Sequence, residues 1–419
     1  MPLTPEQKAL VKATVPILEK YGETITATFY RNLLRDNPSF RNIFNSANQA
    51  HMAQPKALAH SVYAYAKHID DPSVLGPTIE LIANKHASLL VRAEHYPIVG
   101  KYLLGAMAEV LGDALTPDVV DAWTVAYGEL ADVFIKVEQD LYNQTNGWTY
   151  WREFRITKKV VESTEITSFW LAPVDGQSLP EFKPGQYVSV MIDVPSLGHA
   201  QTRQYSLSDA PLADHWRISV KKEAGLNAND PASATAPGLV STLLHDTKNE
   251  GDIIKLSHPM GNFVLDSLDA TDDKPLVLIS GGIGQTPLTS ILNSLVSRSV
   301  ERPISWIHAA RAADVRAFAS DIDNIAKTKK NVRAVFFDAT PRNGAMGENL
   351  AARQEGKFDL SKVDKQEELF LSQDKTEYYV CGPTGFMLEV ERALVQYGVD
   401  PGRIHMELFG VGGVPRVTA

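Results

Sequence analysis

The feature of this sequence that most constrains its fold is the spacing of its apolar residues, which changes twice along the chain. From residue 4 to about 142 they recur at helical spacing, and Thr4 and Thr116, each followed by proline, mark two helix starts. From Arg152 to about residue 265, short alternating runs stand between turn-rich segments. From about residue 274, apolar strand runs alternate with helical stretches. Three patterns predict three domains.

These patterns predict an all-α domain over residues 1–147, an antiparallel β-barrel domain over residues 148–268 and an α/β domain over residues 269–419. At about 150 residues per domain, 419 residues allow two or three domains. The third domain is expected to hold a parallel sheet with helices on both faces and to bind ligands at the carboxyl ends of its strands. Its predicted strands are Leu276 to Ile279, Ile304 to His308, Val332 to Phe337 and Tyr378 to Cys381.

Composition excludes several classes of protein. A hydrophobic fraction of 44% with 22% charged residues is typical of a globular protein. A net charge of -9 and the lack of a dense Lys/Arg stripe argue against nucleic acid as a partner. The N-terminus lacks the pattern of a secretory signal, and no apolar run approaches a membrane span, so the cytoplasm is expected and the mitochondrial matrix stays open. The single cysteine, Cys381, excludes an intrachain disulfide.

A histidine on the apolar stripe of a predicted helix is the first candidate for chemistry. His86 shares helical spacing with Ile79, Ala83 and Leu90, so its imidazole is expected to point inward. An inward imidazole alone is more often a hydrogen-bonded core residue than a ligand. Glu138 lies on the apolar stripe of the last helix of the first domain, where a carboxylate needs a partner.

A glutamine poses a similar question on another predicted helix. Gln54 shares a stripe with Leu58, Val62 and Tyr65, so its amide is expected to face inward and to need a hydrogen-bond partner. A bound ligand is one such partner, and a backbone group in the core is the other.

A glycine-rich run follows the first predicted strand of the third domain and opens a helix. We expect Thr286 to be the helix cap and Pro287 the first helical residue. Glycines let a backbone approach a pyrophosphate, and a helix N-terminus offers free N–H groups. Because Pro287 replaces the last glycine of G-x-G-x-x-G, a standard Rossmann domain is not the best match, and a tight turn without a ligand is the alternative. The run is Gly281, Gly282, Ile283, Gly284, Gln285, Thr286 and Pro287.

Two further segments carry polar groups that suit cofactors. Arg203, Gln204, Tyr205 and Ser206 offer a guanidinium for phosphate, an aromatic ring for stacking and a hydroxyl for a ring nitrogen, although four such residues are more often an ordinary strand. Another segment ends a predicted strand at the same sheet edge as the glycine-rich run, where a nicotinamide could lie; it contains Cys381, Gly382 and Pro383. Taken alone, the cysteine fits a small buried hydrophobic residue better than a reactive thiol.

The motifs of the second and third domains, taken in order, resemble the ferredoxin reductase family of flavin and nicotinamide proteins. Their fusion to a helical block with Phe44, Gln54, His86 and Tyr96 is similar to the flavohaemoglobin family. The resemblance covers the whole chain except a predicted inserted flexible loop, residues 224–238, and the last few residues. The motifs that carry it are Pro184 to Tyr187, Arg203 to Ser206, Gly281 to Pro287 and Cys381 to Pro383.

The resemblance implies that the first domain is a globin that binds haem b. It implies His86 as the proximal iron ligand, with Tyr96 and Glu138 hydrogen-bonded to it, which strengthens its donation to iron. Tyr30 and Gln54 are implied on the opposite, oxygen-binding side. Packing or redox roles in the haem pocket are implied for Phe44, Leu58 and Lys85.

The resemblance also implies FAD and NAD(P)H. The implied nucleotide contacts are the glycine-rich run, Cys381 to Pro383 and Arg311, whose charge favours a 2′-phosphate and therefore NADPH. Leu408 and Val411 depart from the family, which often has a small residue or cysteine and a proline there. The implied FAD contacts are Tyr187, Arg203, Gln204, Tyr205, Ser206, Val240, Ser241, Glu407, Leu408, Phe409, Gly410 and Val411.

The activity implied by the resemblance is nitric oxide dioxygenation, in which NAD(P)H reduces FAD, FAD reduces haem, and nitric oxide and oxygen give nitrate. The expected partners are these small molecules, and a monomer is expected. An oxygen-binding or sensing globin with a maintenance reductase, and a general flavin or ferric reductase, are the alternatives.

Overall fold

The structure is a computed structural model that describes residues 2–44, 49, 51–225, 236–265, 267–340, 352–413 and 416, without the side chains of residues 352, 353 and 355. Of the predicted inserted loop, residues 226–235 lie outside this part of the chain. Within the described residues, no helix is long and apolar enough to cross a membrane.

The first part of the chain, the helical region (residues 2–143), consists of six described α-helices packed around one main core. The first begins with a capping box, in which Thr4 accepts from the backbone of Gln7 and the Gln7 side chain accepts from the backbone of Thr4. Thr116 is also an N-cap, but its side chain makes no capping hydrogen bond. The helices are α1 (Pro5–Ala13), α2 (Val15–Asp36), α3 (Ala53–Lys67), α4 (Gly76–Ser88), α5 (His95–Leu111) and α6 (Pro117–Asn143).

The second part, the barrel region (residues 148–265), is an antiparallel sheet with the strand order β4-β3-β6-β1-β2-β5 among the described residues. Its two edges meet where Leu207 pairs with Ile218 and the backbone of Ser208 donates to Arg217, which bends the sheet into the predicted barrel. Helix α7 (Leu239–Asp246) packs against it. The strands are β1 (Arg152–Val161), β2 (Ile166–Pro173), β3 (Tyr187–Val194), β4 (His199–Ser206), β5 (Trp216–Lys221) and β6 (Ile253–Leu256).

The third part, the sheet region (residues 267–416), contains a parallel sheet with the described strand order β10-β9-β8-β7-β11-β12. Helices α8 (Gln285–Ser297) and α9 (Ala319–Thr328) cover one face and α10 (Thr384–Gln396) covers the other, as predicted. The four predicted strand runs all lie in strands of this sheet. The strands are β7 (Leu276–Gly281), β8 (Ile304–Ala312), β9 (Val332–Thr340), β10 (Ala352–Glu355), β11 (Glu377–Cys381) and β12 (Ile404–Glu407).

Two local predictions need correction. Thr286 is not the cap of helix α8, because a short 3-10 turn over Gly282–Gly284 makes the helix begin at Gln285, and the Thr286 hydroxyl donates to Ile283 instead. Leu90 does not continue the stripe of His86, since helix α4 ends at Ser88 and Leu90 has a positive φ of 58°.

The chain passes from the helical region to the barrel region at Trp148. Its ring is buried in the barrel core, stacked on Trp216 at 5.7 Å between ring centroids, with Arg152 over its face. Tyr142, six residues earlier, instead donates to the backbone of Val91 in the helical region. Tyr142 also packs with Tyr187 and Met260 of the barrel region, so the two regions share a small cluster at this junction.

Candidate functional site

Helix α4 presents His86 to a buried acidic partner. Nδ1 of His86 lies 2.8 Å from Oε1 of Glu138 and 3.2 Å from the hydroxyl of Tyr96, and that hydroxyl donates to the same carboxylate oxygen at 2.6 Å. A carboxylate only accepts hydrogen bonds, so Nδ1–H donates to Glu138, which leaves Nε2 as the nitrogen available to a metal. Glu138 is 2% exposed, whereas the His86 side chain is 34% exposed. This arrangement is typical of a histidine metal ligand, in which a carboxylate accepts from the ring nitrogen that does not bind the metal.

Three residues that the resemblance assigns to the haem pocket, Tyr30, Phe44 and Leu58, belong to the main core of the helical region. Tyr30 is buried and its ring packs edge-on against Phe44, 5.1 Å between centroids. Burial raises the pKa of Tyr30, so its hydroxyl stays protonated and able to donate. Gln54 is the second residue of helix α3, and its amide oxygen accepts from the side chain of Gln49 at 2.7 Å. Leu58, one turn later, packs on the same core as Tyr30.

Lys85 connects helix α4 to the C-terminal segment. Its Nζ donates to the carbonyls of Gly410 at 2.8 Å and Gly412 at 3.3 Å. Burial lowers its pKa, and the carboxylate of Glu407 opposes that shift. Burial also raises the pKa of Glu407 to about 7, against the charge of Lys85. Two residues that the sequence places 322 positions apart thus share one electrostatic environment.

The predicted flavin contacts of the barrel region lie on adjacent strands. Tyr187 begins β3 and is paired with Ser206 at the end of β4, while Arg203 and Tyr205 lie on the same strand as Ser206. Gly185, just before β3, has a φ of 106° and a Cβ there would stand 2.1 Å from the carbonyl oxygen of Phe263, so this turn requires glycine.

Arg203 is the cation that best fits a phosphate in this region. Among the described residues its guanidinium has no carboxylate at ion-pair distance and donates only to Thr202 and Gln201. Burial lowers its pKa. The buried Tyr187 hydroxyl lacks a hydrogen-bond partner within the described part of the chain. A half-buried guanidinium and an unpaired hydroxyl are groups that an anionic, polar cofactor would satisfy.

The remaining predicted flavin contacts lie at two places. Val240 and Ser241 are buried in helix α7, where the Ser241 hydroxyl accepts from the backbone of Glu223 at 3.2 Å. The C-terminal set follows strand β12 and reaches helix α4 through Lys85. Its members are Glu407, Leu408, Phe409, Gly410 and Val411, of which Phe409 is 46% exposed and free to stack on a planar ring.

The two predicted nucleotide loops meet at the carboxyl ends of neighbouring strands β7 and β11. A Cβ on Gly284 would stand 2.3 Å from the carbonyl oxygen of Cys381, and one on Gly382 would stand 3.0 Å from the backbone nitrogen of Gly281. The glycines therefore permit close contact between the two loops beside the N-terminus of α8. Gln285 at that terminus is buried and its Nε2 has no partner among the described residues.

Arg311 and Pro383 also lie at the carboxyl edge of the parallel sheet. Arg311 lies near the end of β8, 67% exposed, and forms an ion pair with Glu165 of the barrel region. Pro383 precedes α10, and its ring lies 3.2 Å from where a Cβ on Gly281 would stand. Cys381 is fully buried and burial raises the pKa of its thiol, in agreement with an unreactive core residue.

Sequence reasoning missed the contacts between helix α4 and the barrel region. Asn84 accepts from the backbone of Gly261, and Ser88 contacts Ser189 and Gln204. Asn84 and Ser88 are four residues apart, hence on one helix face, and this spacing was the available signal.

Comparison with known proteins agrees with this architecture. The globin family model matches residues 27–134, and a model described as oxidoreductase NAD-binding domain matches residues 278–392. The chain is thus a globin joined to an NAD(P)H-dependent oxidoreductase module.

Full-length relatives identify the family. The flavohemoprotein of Bordetella parapertussis is 49% identical over 98% of this chain and 100% of that protein. The flavohemoprotein of Bacillus subtilis is 42% identical over 96% of each chain. A crystal structure of a flavohemoglobin from Malassezia yamatoensis with bound FAD and heme has a TM-score of 0.82 and 28% identity, covering 97% of this chain and 100% of that one. The chain belongs to the flavohaemoprotein family, and the predicted family and fold class are confirmed.

Proposed function

We propose that this protein is a nitric oxide dioxygenase, which converts nitric oxide and dioxygen to nitrate with electrons from NAD(P)H. The observation that carries the proposal is the hydrogen-bonded group of His86, Glu138 and Tyr96 on a helix that also contacts the reductase part of the chain. Family membership confirms the predicted cofactors, haem, FAD and NAD(P)H. When bound, the flavin supplies single electrons and the haem iron supplies the site of oxygen chemistry.

In this proposal, His86 would hold the haem iron through Nε2. Glu138 accepts from Nδ1–H and raises the donor strength of the ring, and Tyr96 fixes the carboxylate. Tyr30, whose burial keeps its hydroxyl protonated, donates a hydrogen bond on the opposite side, and Gln54 supplies a second polar group there. Phe44 and Leu58 keep water out of that space.

The reductase part of the proposal assigns binding roles. Arg203 pairs with a flavin phosphate, while Tyr187, Tyr205 and Phe409 offer rings against the flavin. The loops around Gly284 and Gly382 bring backbone N–H groups to the nicotinamide nucleotide. A monomer is the proposed oligomeric state.

Replacing the proposed iron ligand tests the function against its rivals. In His86→Ala, NAD(P)H should still reduce the flavin and an artificial acceptor such as ferricyanide at the parental rate, because the reductase is intact. Consumption of nitric oxide should fall to the buffer rate. His68→Ala, which changes a histidine at the end of α3, is the matched control and should keep both activities. If His86→Ala consumed nitric oxide like the parent, the proposal would be wrong and a general reductase would replace it.

The proposal includes NADPH as the preferred nucleotide, since Arg311 is exposed enough to meet a 2′-phosphate if it leaves Glu165. Arg311→Gln should raise KM for NADPH about tenfold and change KM for NADH little, as expected for the loss of one charge-assisted contact. Equal changes in both KM values would contradict this part of the proposal.

A further inference from the structure

The hydroxyl of Ser88 uses all of its hydrogen-bonding positions, and two of them connect helix α4 to the barrel region. The hydroxyl donates to the carbonyl of Lys85 at 2.8 Å and lies 3.0 Å from Oγ of Ser189 and 2.8 Å from Nε2 of Gln204. A hydroxyl provides one donor and two acceptors, so it is saturated. Ser88 is fully buried, and two of its three bonds cross between regions.

Asn84 makes a second connection one turn earlier on the same helix. Its Oδ1 accepts from the backbone of Gly261 at 2.9 Å, and its Nδ2 donates to the carbonyl of Glu80 at 3.0 Å. Gly261 in turn lies under Tyr187, because a Cβ on this glycine would stand 2.9 Å from a carbon of the tyrosine ring.

The two connections lie on the side of the helix away from His86. Residues four apart share a helix face, whereas residues two apart are about 200° apart around the axis. Asn84 and Ser88 therefore face the barrel region, while His86 faces Glu138. The Ser88 connection ends at Gln204, and the Asn84 connection ends at Gly261, which packs on Tyr187. Gln204 and Tyr187 are two of the proposed flavin contacts. One helix backbone thus separates the proposed iron ligand from the proposed flavin site.

We infer that Ser88 and Asn84 are positioning residues that fix helix α4 against the flavin site and so set the rate of electron transfer from flavin to haem. Electron transfer slows steeply as donor and acceptor move apart or turn, so a loosened helix slows this step alone. The inference rests on the proposed binding of iron by His86 and of FAD by Gln204 and Tyr187. It does not depend on the chemistry of nitric oxide.

The test follows both reduction steps in the FAD- and haem-loaded full chain without oxygen. NADPH is mixed rapidly with the parent, Ser88→Ala and Ser189→Ala, and flavin and haem absorbance are recorded separately. Flavin reduction should keep its parental rate, while haem reduction should slow by about tenfold or more. Ser189→Ala removes one buried hydrogen bond between the regions, and Ser88→Ala removes two. The double variant should be no slower than the slower single variant, because both remove the same bond.

Ser61→Ala is the matched control and is expected to leave both rates unchanged. Within the described residues, the Ser61 hydroxyl bonds only to Ala57 of its own helix α3. A structural readout is independent of activity: in Asn84→Ala, hydrogen exchange at the peptide containing Gly261 should accelerate while the Fe–His stretching frequency stays parental. If Ser88→Ala fails to fold, the inference is tested with Asn84→Ala and Ser189→Ala instead.

Parental haem reduction in Ser88→Ala, Ser189→Ala and Asn84→Ala would overturn the inference while leaving the proposed function intact. Equal slowing of flavin and haem reduction would also overturn it, since that result indicates general damage. A parent whose haem is never reduced by NADPH would instead overturn the electron path of the proposed function, and the inference with it.

Discussion

Burial shifts the pKa values of several ionisable residues around helix α4. Burial, and then the charge of Glu138, raises the pKa of Tyr96, so this tyrosine remains a neutral donor to the carboxylate. Glu138 in turn is held by two donors and screened from water. Nδ1–H of His86 and the hydroxyl of Tyr96 are thus both held by this carboxylate, which leaves Nε2 of His86 as the nitrogen available to the proposed iron.

Glu138→Gln tests the acceptor role of this carboxylate. The amide keeps the shape but weakens acceptance from Nδ1–H of His86, so turnover of nitric oxide should fall by about 10- to 100-fold. Resonance Raman spectroscopy should show a lower Fe–His stretching frequency. Glu129→Gln, on the same helix, changes a carboxylate that accepts from the backbone of Leu3 and should leave both readings unchanged. An unchanged frequency in Glu138→Gln would contradict the assigned role.

The raised pKa of Glu407 predicts that the stability of the protein depends on pH. Its pKa is raised by burial from 4.5 to about 7, so the folded protein binds the proton more tightly than the unfolded chain. Protonation of Glu407 therefore stabilises the folded protein fully below about pH 4.5. This stabilisation, about 3 kcal/mol at most, is lost as the pH rises through 7. Relative to Glu407→Gln, the parent should lose Tm between pH 5 and 8.

The control for this pH series is Glu389→Gln, which changes a half-exposed carboxylate on helix α10. Its Tm should follow the parent at every pH. A constant Tm difference between the parent and Glu407→Gln across the series would contradict the raised pKa.

Apolar spacing predicted the elements of this fold because each helix or strand buries one face locally. The stripes carrying His86 and Glu138 both point inward, and their meeting could be expected. The partners of Ser88, Asn84 and Arg311 lie on strands or turns at least 101 residues away, and no local pattern encodes which residues meet there. The start of α8 was misplaced for a different reason, since a 3-10 turn and an α-helix share the same early signals.

The close contact between the two nucleotide loops limits which residues can replace glycine at this edge of the parallel sheet. Gly284→Ala would place its Cβ 2.3 Å from a backbone oxygen of Cys381, which cannot move away as a side chain could. The variant should lower stability by about 2 kcal/mol or more and raise KM for NADPH, because the helix N-terminus must shift. Gly385→Ala, whose Cβ meets nothing within 4 Å, is the control and should change neither quantity much. Parental Tm and KM in Gly284→Ala would contradict the close approach.

The whole molecule divides, in our proposal, between residues 147 and 148. The clusters of the barrel and sheet regions draw all of their described buried members from residue 148 onward, except for the small cluster that joins Tyr187 to helix α4. A chain of residues 148–419 should therefore fold, bind FAD and reduce ferricyanide with NADPH at a rate within a few-fold of the full chain. It should not consume nitric oxide. An unfolded fragment would contradict the proposed boundary.

The central claim is that both atoms of dioxygen enter nitrate. The direct measurement supplies the haem- and FAD-loaded protein with NADPH, nitric oxide and isotopically labelled dioxygen, and analyses the nitrate by mass spectrometry. The account predicts rapid, NADPH-dependent consumption of nitric oxide with two labelled oxygen atoms in each nitrate formed. Consumption no faster than in buffer while NADPH still reduces the haem, or nitrate without paired label, would contradict it.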